Sequence, residues 1–169
     1  MRGASAGAAI VAVLLWACAP SADAAGDPVC HTATSVPAVA AAAHVRSADI
    51  TIARSVGGNG MPQCTLRPRG HGRPSVMVNV DNGPQAAWRL MRTVVEASQI
   101  FGVPPPGWKP PIGLNGLGPY ASWFPELDAL MATNRVDLVT VNINWPRAPR
   151  KAKIALARRI VVPYLHLAG

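Results

Sequence analysis

The clearest pattern of hydrophobic and polar positions lies in residues 136–145, VDLVTVNINW. Val139, Val141, Ile143 and Trp145 fall on alternate positions, and mostly polar residues stand between them. Successive side chains of a β-strand point to opposite faces, so this period of two predicts a half-buried antiparallel strand. Residues 75–81, SVMVNVD, repeat the alternation and predict a second strand of the same kind.

Weaker strand patterns and three helical patterns fill most of the remaining chain. Shorter strands are predicted at residues 49–53, 63–68, 120–124 and 129–134. Helices are predicted from a cap at Thr34 or Ser35 to about Val45, over residues 84–99, and over residues 149–165. Residues 101–119 are rich in proline and glycine and predict a loop that crosses the domain without long regular structure. The predicted fold is therefore α+β, with an antiparallel sheet of about five strands packed by two or three helices.

The first 24 residues have the features of an export signal. Arg2 supplies a positive charge, residues 8–17 form a short apolar run, and residues 22–24, Ala-Asp-Ala, fit a cleavage site. The apolar run is too short to span a bilayer, and no second run follows, so we expect no transmembrane span in residues 25–169. We expect these residues to form a single domain that is secreted or held in the cell envelope. Residues 15–18, LWAC, partly resemble a lipobox, which leaves open an anchor on Cys18 at the outer face of the membrane.

Removal of the leader leaves two cysteines, Cys30 and Cys64. Two thiols in a small exported domain most simply form a disulfide, because the compartment is oxidising. A loop of this length would stabilise the fold by about 3–4 kcal/mol in the chain-entropy model. A metal or redox site is the alternative, but the chain has no CxxC pair and only His31 stands nearby.

The net charge of +8 comes from 16 Lys and Arg against 8 Asp and Glu. Two basic clusters are candidate anion-binding sites, although a solvated basic surface would have the same composition. The first cluster lies in residues 67–74, which lead from the strand predicted at 63–68 to the one predicted at 75–81, and comprises Arg67, Arg69, His71 and Arg73. The second cluster lies on the last predicted helix and comprises Lys151, Arg158 and Arg159. Trp108, between prolines, is either a structural contact or a side chain displayed to a partner.

No motif for catalysis or cofactor binding is present. Glu126 and Asp128 lie close together, but on a predicted turn, where carboxylates commonly make local hydrogen bonds. The four histidines lack metal-ligand spacing, and no Gly-x-Ser-x-Gly or phosphate-binding loop occurs. Because no nucleic-acid-binding motif is present, we expect no nucleic acid to be bound. Because metal-ligand spacing and phosphate-binding loops are missing, we expect no metal or cofactor. We therefore expect a monomeric, non-enzymatic binding or structural module that contacts an anionic envelope polymer, a lipid surface or another envelope protein. The alternative is a small exported hydrolase whose site cannot be recognised from sequence.

The order of these features resembles the small exported or lipid-anchored actinobacterial domains of unknown function. The resemblance covers most of the chain after the leader and rests on these residues: Cys30, Cys64, Val76, Val78, Val80, Gly116, Leu117, Gly118, Ala121, Trp123, Ala155, Leu156 and Ala157. It implies an antiparallel sheet with packed helices and a disulfide, and it implies no known catalytic site.

Overall fold

A computed structural model describes residues 30–57, 60–82, 109–118, 120–134 and 137–165. The helices are α1 (Thr32–Ala43) and α2 (Arg150–Leu165), and a short 3-10 helix occupies Ser47–Asp49. The strands are β1 (Ile50–Val56), β2 (Pro62–Pro68), β3 (Ser75–Asn82), β4 (Ile112–Gly113), β5 (Tyr120–Phe124), β6 (Ala129–Thr133) and β7 (Asp137–Asn144). The expected leader with Cys18, the expected helix at residues 84–99 and the loop segment with Trp108 lie outside the described residues.

The described strands form one antiparallel sheet in the order β1-β2-β3-β7-β6-β5-β4. The prediction of an α+β fold with an antiparallel sheet and packed helices is confirmed. Within the described ranges the sheet has seven strands rather than about five. The strand that sequence analysis missed, β4, has only two residues and follows Pro110 and Pro111, so it is too short to show an alternating pattern.

The two most regular alternations of the sequence meet in the middle of the sheet. Val76, Val78 and Val80 of β3 lie opposite Ile143, Val141 and Val139 of β7 in register. All six side chains are buried, and we call the face of the sheet that they share the core face. Helix α2 covers this face with five buried residues: Leu156, Ala157, Ile160, Val161 and Tyr164. Sheet and helix therefore bury complementary apolar surfaces, which is the main stabilising term of such a layered fold.

Helix α1 packs beside α2 and contributes only small buried side chains. It begins at Thr32 with His31, in a left-handed conformation, as its N-cap, which is three to four residues before the predicted caps Thr34 and Ser35. Ser35 cannot be the cap because its side chain is buried within the helix, and Thr34 Oγ1 instead donates to the His31 carbonyl at 3.1 Å. The predicted disulfide between Cys30 and Cys64 is present, with 5.2 Å between the Cα atoms, and it joins the start of α1 to β2.

The other face of the sheet carries mostly polar residues, and we call it the open face. Across β2, β3 and β7, the residues Thr65, Met77 and Asn142 lie side by side in register. Gln63, Asn79 and Thr140 form the neighbouring row. These side chains are half-buried, whereas their sequence neighbours on the core face are buried. The alternation of the strands thus produces one apolar face and one hydrogen-bonding face.

Candidate binding site

The open face contains two adjoining depressions that share Asn142 and Asn144 of β7. The first has a volume of about 200 Å³ and is lined by Thr65, Arg67, Ser75, Met77, Asn142 and Asn144. The second has a volume of about 230 Å³ and extends from the two asparagines to Ile143 and to Glu126, Leu127 and Asp128 in the turn between β5 and β6. We refer to the two depressions together as the trough.

Strand pairing determines which side chains line the trough. Ser75 lies opposite Asn144, and Met77 lies opposite Asn142. Arg67 follows Leu66, whose partner is Val76, so the same register places Arg67 beside Ser75. Because residues directly opposite one another share a face, a guanidinium, a hydroxyl and a carboxamide converge here. These groups supply several hydrogen-bond donors around one cation.

Arg67 is the charged residue of the trough for which the described residues supply no partner. It is exposed, and it makes no hydrogen bond or ion pair within the described part of the chain. The carboxylates at the far end of the trough are engaged. Asp128 forms an ion pair with Lys153, whose side chain is only 12% exposed, and Glu126 Oε1 accepts from the Lys109 backbone N–H at 3.2 Å. Among the described residues that line the trough, the charge that remains without a partner is therefore the positive charge of Arg67.

The remaining basic residues of the hairpin between β2 and β3 lie next to Arg67. Arg69 and His71 are exposed, and Arg73 lies against Gly70 in the turn. Gly70 and Gly72 both have positive φ, 105° and 72°, which a glycine adopts without strain. The first predicted anion-binding cluster thus extends from the trough to the end of the sheet.

An ion pair adjoins this hairpin. The Arg69 backbone N–H donates to the Asp49 carbonyl at 3.1 Å, and Asp49 pairs with Arg46 at 3.2 Å. The hydrogen bond from Arg46 lowers the pKa of the Asp49 carboxyl, and the charge of Arg69 acts in the same direction. The Asp49 carboxylate is therefore held between the charges of Arg46 and Arg69.

The second predicted cluster lies on the opposite side of the sheet. Helix α2 packs on the core face, with Lys151 and Arg159 exposed on its outer side. Arg158 is half-buried, and its guanidinium donates to the Asn115 carbonyl at 3.1 Å, which gives it a structural contact. The structure therefore does not bring the two predicted clusters together on one surface.

Sequence analysis missed the uncharged residues of the trough, namely Thr65, Ser75, Met77, Asn142 and Asn144. Their signal was present, because Ser75, Met77, Asn142 and Asn144 stand between the apolar positions of the two most regular strands, and Thr65 stands at such a position in β2. The alternation assigns them to one face, but it does not say which strands are neighbours. Pairing of β3 with β7, which are far apart in sequence, creates the site.

Two further searches cover only the described residues. They contain no group of three His, Cys, Asp or Glu side chains that could hold a metal ion. None of their helices is long and apolar enough to cross a membrane.

Comparisons with protein-family models, with curated proteins and with solved structures find no match for this chain, so the functional argument rests on the geometry of the open face.

Proposed function

We propose that this protein is an extracytoplasmic, non-enzymatic binding module that holds anionic groups of an envelope polymer against the open face of its sheet. The observation that carries the proposal is Arg67, an exposed guanidinium with no partner among the described residues, which lines the same depression as the hydroxyl of Ser75 and the carboxamide of Asn144. A guanidinium donates in a planar fork that suits carboxylate and phosphate oxygens. The neighbouring hydroxyl and amide groups suit the polar backbone of such a polymer.

The hairpin supports the proposal by extending the positive surface. Arg69, His71 and Arg73 continue from Arg67 toward the tip, so an extended anionic chain could meet several cations in succession. Attraction over such a surface is long-range and falls with ionic strength, because salt screens exposed charges within about 8–10 Å at physiological concentrations. The net charge of +8 gives the same bias to the whole molecule.

Binding fits the trough better than acid–base catalysis does. The two carboxylates at its far end are held by Lys153 and by the Lys109 backbone N–H, and no histidine is among the described residues that line either depression. A catalytic pair needs two titratable groups whose environments separate their pKa values and that can reach one substrate. The polar groups that remain are donors and acceptors suited to recognition.

The expected leader and the disulfide support a location outside the cytoplasm. A stable disulfide is typical of secreted and envelope proteins. We propose secretion or retention in the envelope, with a lipid anchor on Cys18 as the alternative route to the same compartment.

A matched pair of substitutions tests the proposed surface. Arg67→Gln removes a charge from the trough, and Arg159→Gln removes the same charge from an exposed position on α2. Retention of each variant is measured on immobilised polyphosphate and polyglutamate, with neutral dextran as the blank, over a series of salt concentrations. A basic residue near an anionic surface contributes about 1 kcal/mol, so Arg67→Gln should weaken binding about fivefold.

The arginine control determines the interpretation. Arg159→Gln should bind like the unchanged protein within about twofold, because α2 lies on the other side of the sheet. Equal losses in the two variants would show that net charge alone causes retention. Retention that is independent of salt, or no retention on either polyanion, would overturn the proposed function.

A further inference from the structure

The turn between β4 and β5 contains the pair Asn115-Gly116. On one side of the pair, the Leu114 backbone N–H donates to the Ala121 carbonyl at 2.9 Å. On the other side, Leu117 is buried in the core. Gly116 has a φ of 79°, which glycine adopts without strain. The pair therefore lies in a turn that the fold holds on both sides, and both of its residues are exposed.

Two groups of this pair can react with each other, and neither is engaged elsewhere in the described part of the chain. The Gly116 backbone N–H donates to no acceptor there, and the Asn115 carboxamide makes no hydrogen bond there. A Cβ added at Gly116 would meet nothing within 4 Å, so the space beside its nitrogen is open. Because glycine has no side chain, its nitrogen can approach the carboxamide carbon of the preceding asparagine closely.

The carbonyl that joins Asn115 to Gly116 has a charged partner. The Arg158 guanidinium of α2 donates to this oxygen at 3.1 Å. When an amide N–H loses its proton, most of the negative charge moves to the oxygen of the same amide. A guanidinium at that oxygen stabilises the anion, as hydrogen-bond donors aimed at a developing oxyanion do. Arg158 therefore increases the population of the nucleophilic form of the Gly116 nitrogen.

We propose that Asn115 is a site of spontaneous modification, at which Arg158 promotes conversion of the asparagine to isoaspartate and aspartate. The Gly116 nitrogen loses its proton to solvent hydroxide and forms a bond to Cγ of Asn115. The bond from Cγ to the carboxamide nitrogen breaks, and this nitrogen takes a proton from water and leaves as ammonia. The resulting cyclic imide is opened by water. The whole reaction consumes one water and releases one ammonia, so it needs no oxidant, reductant or cofactor.

The position of Arg158 also favours one of the two products. Water can attack either carbonyl of the cyclic imide. Attack at the former main-chain carbonyl, which Arg158 polarises, breaks its bond to the Gly116 nitrogen and gives isoaspartate. The carboxylate set free contains the oxygen that the guanidinium already holds, so a charge-assisted pair forms with Arg158. The turn then has one more methylene in its backbone, and one positive charge of α2 is balanced.

This inference does not depend on the proposed function. The turn lies at the β4 edge of the sheet, whereas Arg67 lies on β2, toward the opposite edge. The charge of the trough is therefore the same before and after the modification. Only the basic cluster on α2 changes, because Arg158 belongs to it.

The experiment follows the purified protein, after its natural processing, during incubation at neutral pH with gentle warming. Peptide mapping by mass spectrometry gives the rate at Asn115 and the ratio of isoaspartate to aspartate. Arg158→Gln should slow the conversion about two- to fivefold, the factor expected for an exposed charge interaction, and should lower the isoaspartate share. Arg159→Gln is the matched control, because it removes the same charge from the next residue, which is exposed and makes no contact with Asn115 in the described part of the chain.

The same digests contain two internal references. Asn59 and Asn82 also precede glycine in the sequence, and their rates should be equal in the unchanged protein and in both arginine variants. Asn115→Gln should stop the reaction at this position, because the longer side chain has to close a larger ring. Circular dichroism of each variant shows that the fold is kept.

Four results would overturn the proposal. The first is that Asn115 stays unchanged in the folded protein while a free peptide of residues 112–118 is converted. The second is that Arg158→Gln is converted at Asn115 as fast as the unchanged protein, or faster. The third is that Arg159→Gln slows the reaction as much as Arg158→Gln does. The fourth is that Arg158→Gln slows Asn59 and Asn82 equally, which would show an effect of net charge rather than of the contact with Asn115.

Discussion

Reduction of the disulfide between Cys30 and Cys64 should destabilise the protein by an amount that the structure allows us to calculate. The two cysteines are 34 residues apart, which gives about 4 kcal/mol at 25 °C in the chain-entropy model. Both are fully buried, and a reduced cysteine behaves as a small apolar side chain. The folded state should therefore change little, and most of the effect should come from the greater freedom of the unfolded chain.

The loss of stability on reduction should be largest at α1. The buried side chains of this helix include Val39, Ala40 and Ala43, which bury little apolar area. Cys30 lies two residues before the first residue of the helix, and its disulfide joins the helix to Cys64 of β2 on the core face. Hydrogen exchange after reduction should therefore accelerate more in α1 than in the paired central strands β3 and β7.

Urea unfolding, followed by tryptophan fluorescence, measures the effect, because Trp123 is fully buried. With a denaturant slope of about 1.5–2 kcal/mol per molar, the midpoint should fall by about 2 M on reduction. The variant with Cys30→Ala and Cys64→Ala controls for the reductant, since its midpoint should not respond to it. A shift of the urea midpoint below about 0.5 M on reduction of the unchanged protein would refute the calculated stabilisation. Two free thiols at residues 30 and 64 in non-reducing mass spectrometry would refute the disulfide itself.

Two further predictions concern packing of the core and of the turn before β5. Gly118→Ala should lower the free energy of unfolding clearly more than Gly116→Ala does. Both glycines have positive φ, which costs an alanine about 1–2 kcal/mol. At Gly118 the new Cβ would also lie 2.9 Å from the backbone oxygen of Thr133, whereas at Gly116 it would meet nothing within 4 Å. Equal costs in urea unfolding would contradict this reading. Trp123→Ala should cost about 3–5 kcal/mol as a large cavity in the core. Trp123→Phe should cost much less, because phenylalanine keeps an aromatic ring in the core. It also removes a buried Nε1–H that finds no acceptor in the described part of the protein. A phenylalanine variant as unstable as the alanine variant would contradict this prediction.

The sequence by itself determined the local features of the fold. The alternation in β3 and β7 predicted which of their side chains are buried, and the structure confirms it for all three valines of β3. Helical spacing is also local, and it predicted the last helix over residues 149–165, which the structure has at Arg150–Leu165. The disulfide followed from two cysteines in a chain with an expected leader. Each inference needed only neighbouring residues or a count.

The tertiary structure decided which elements are neighbours, and with that it decided the candidate site. β7 lies between β3 and β6, so Asn144 lies opposite Ser75 and lines the same depression as Arg67, although about 70 residues separate it from them in the chain. Helix α2 lies on the core face, which separates Arg159 from Arg67, and the sequence had left the relative position of their two basic clusters open. A period of two assigns a side chain to a face but leaves strand order open. Strand order is set by burying the apolar faces of distant segments together, and that is a property of the whole chain.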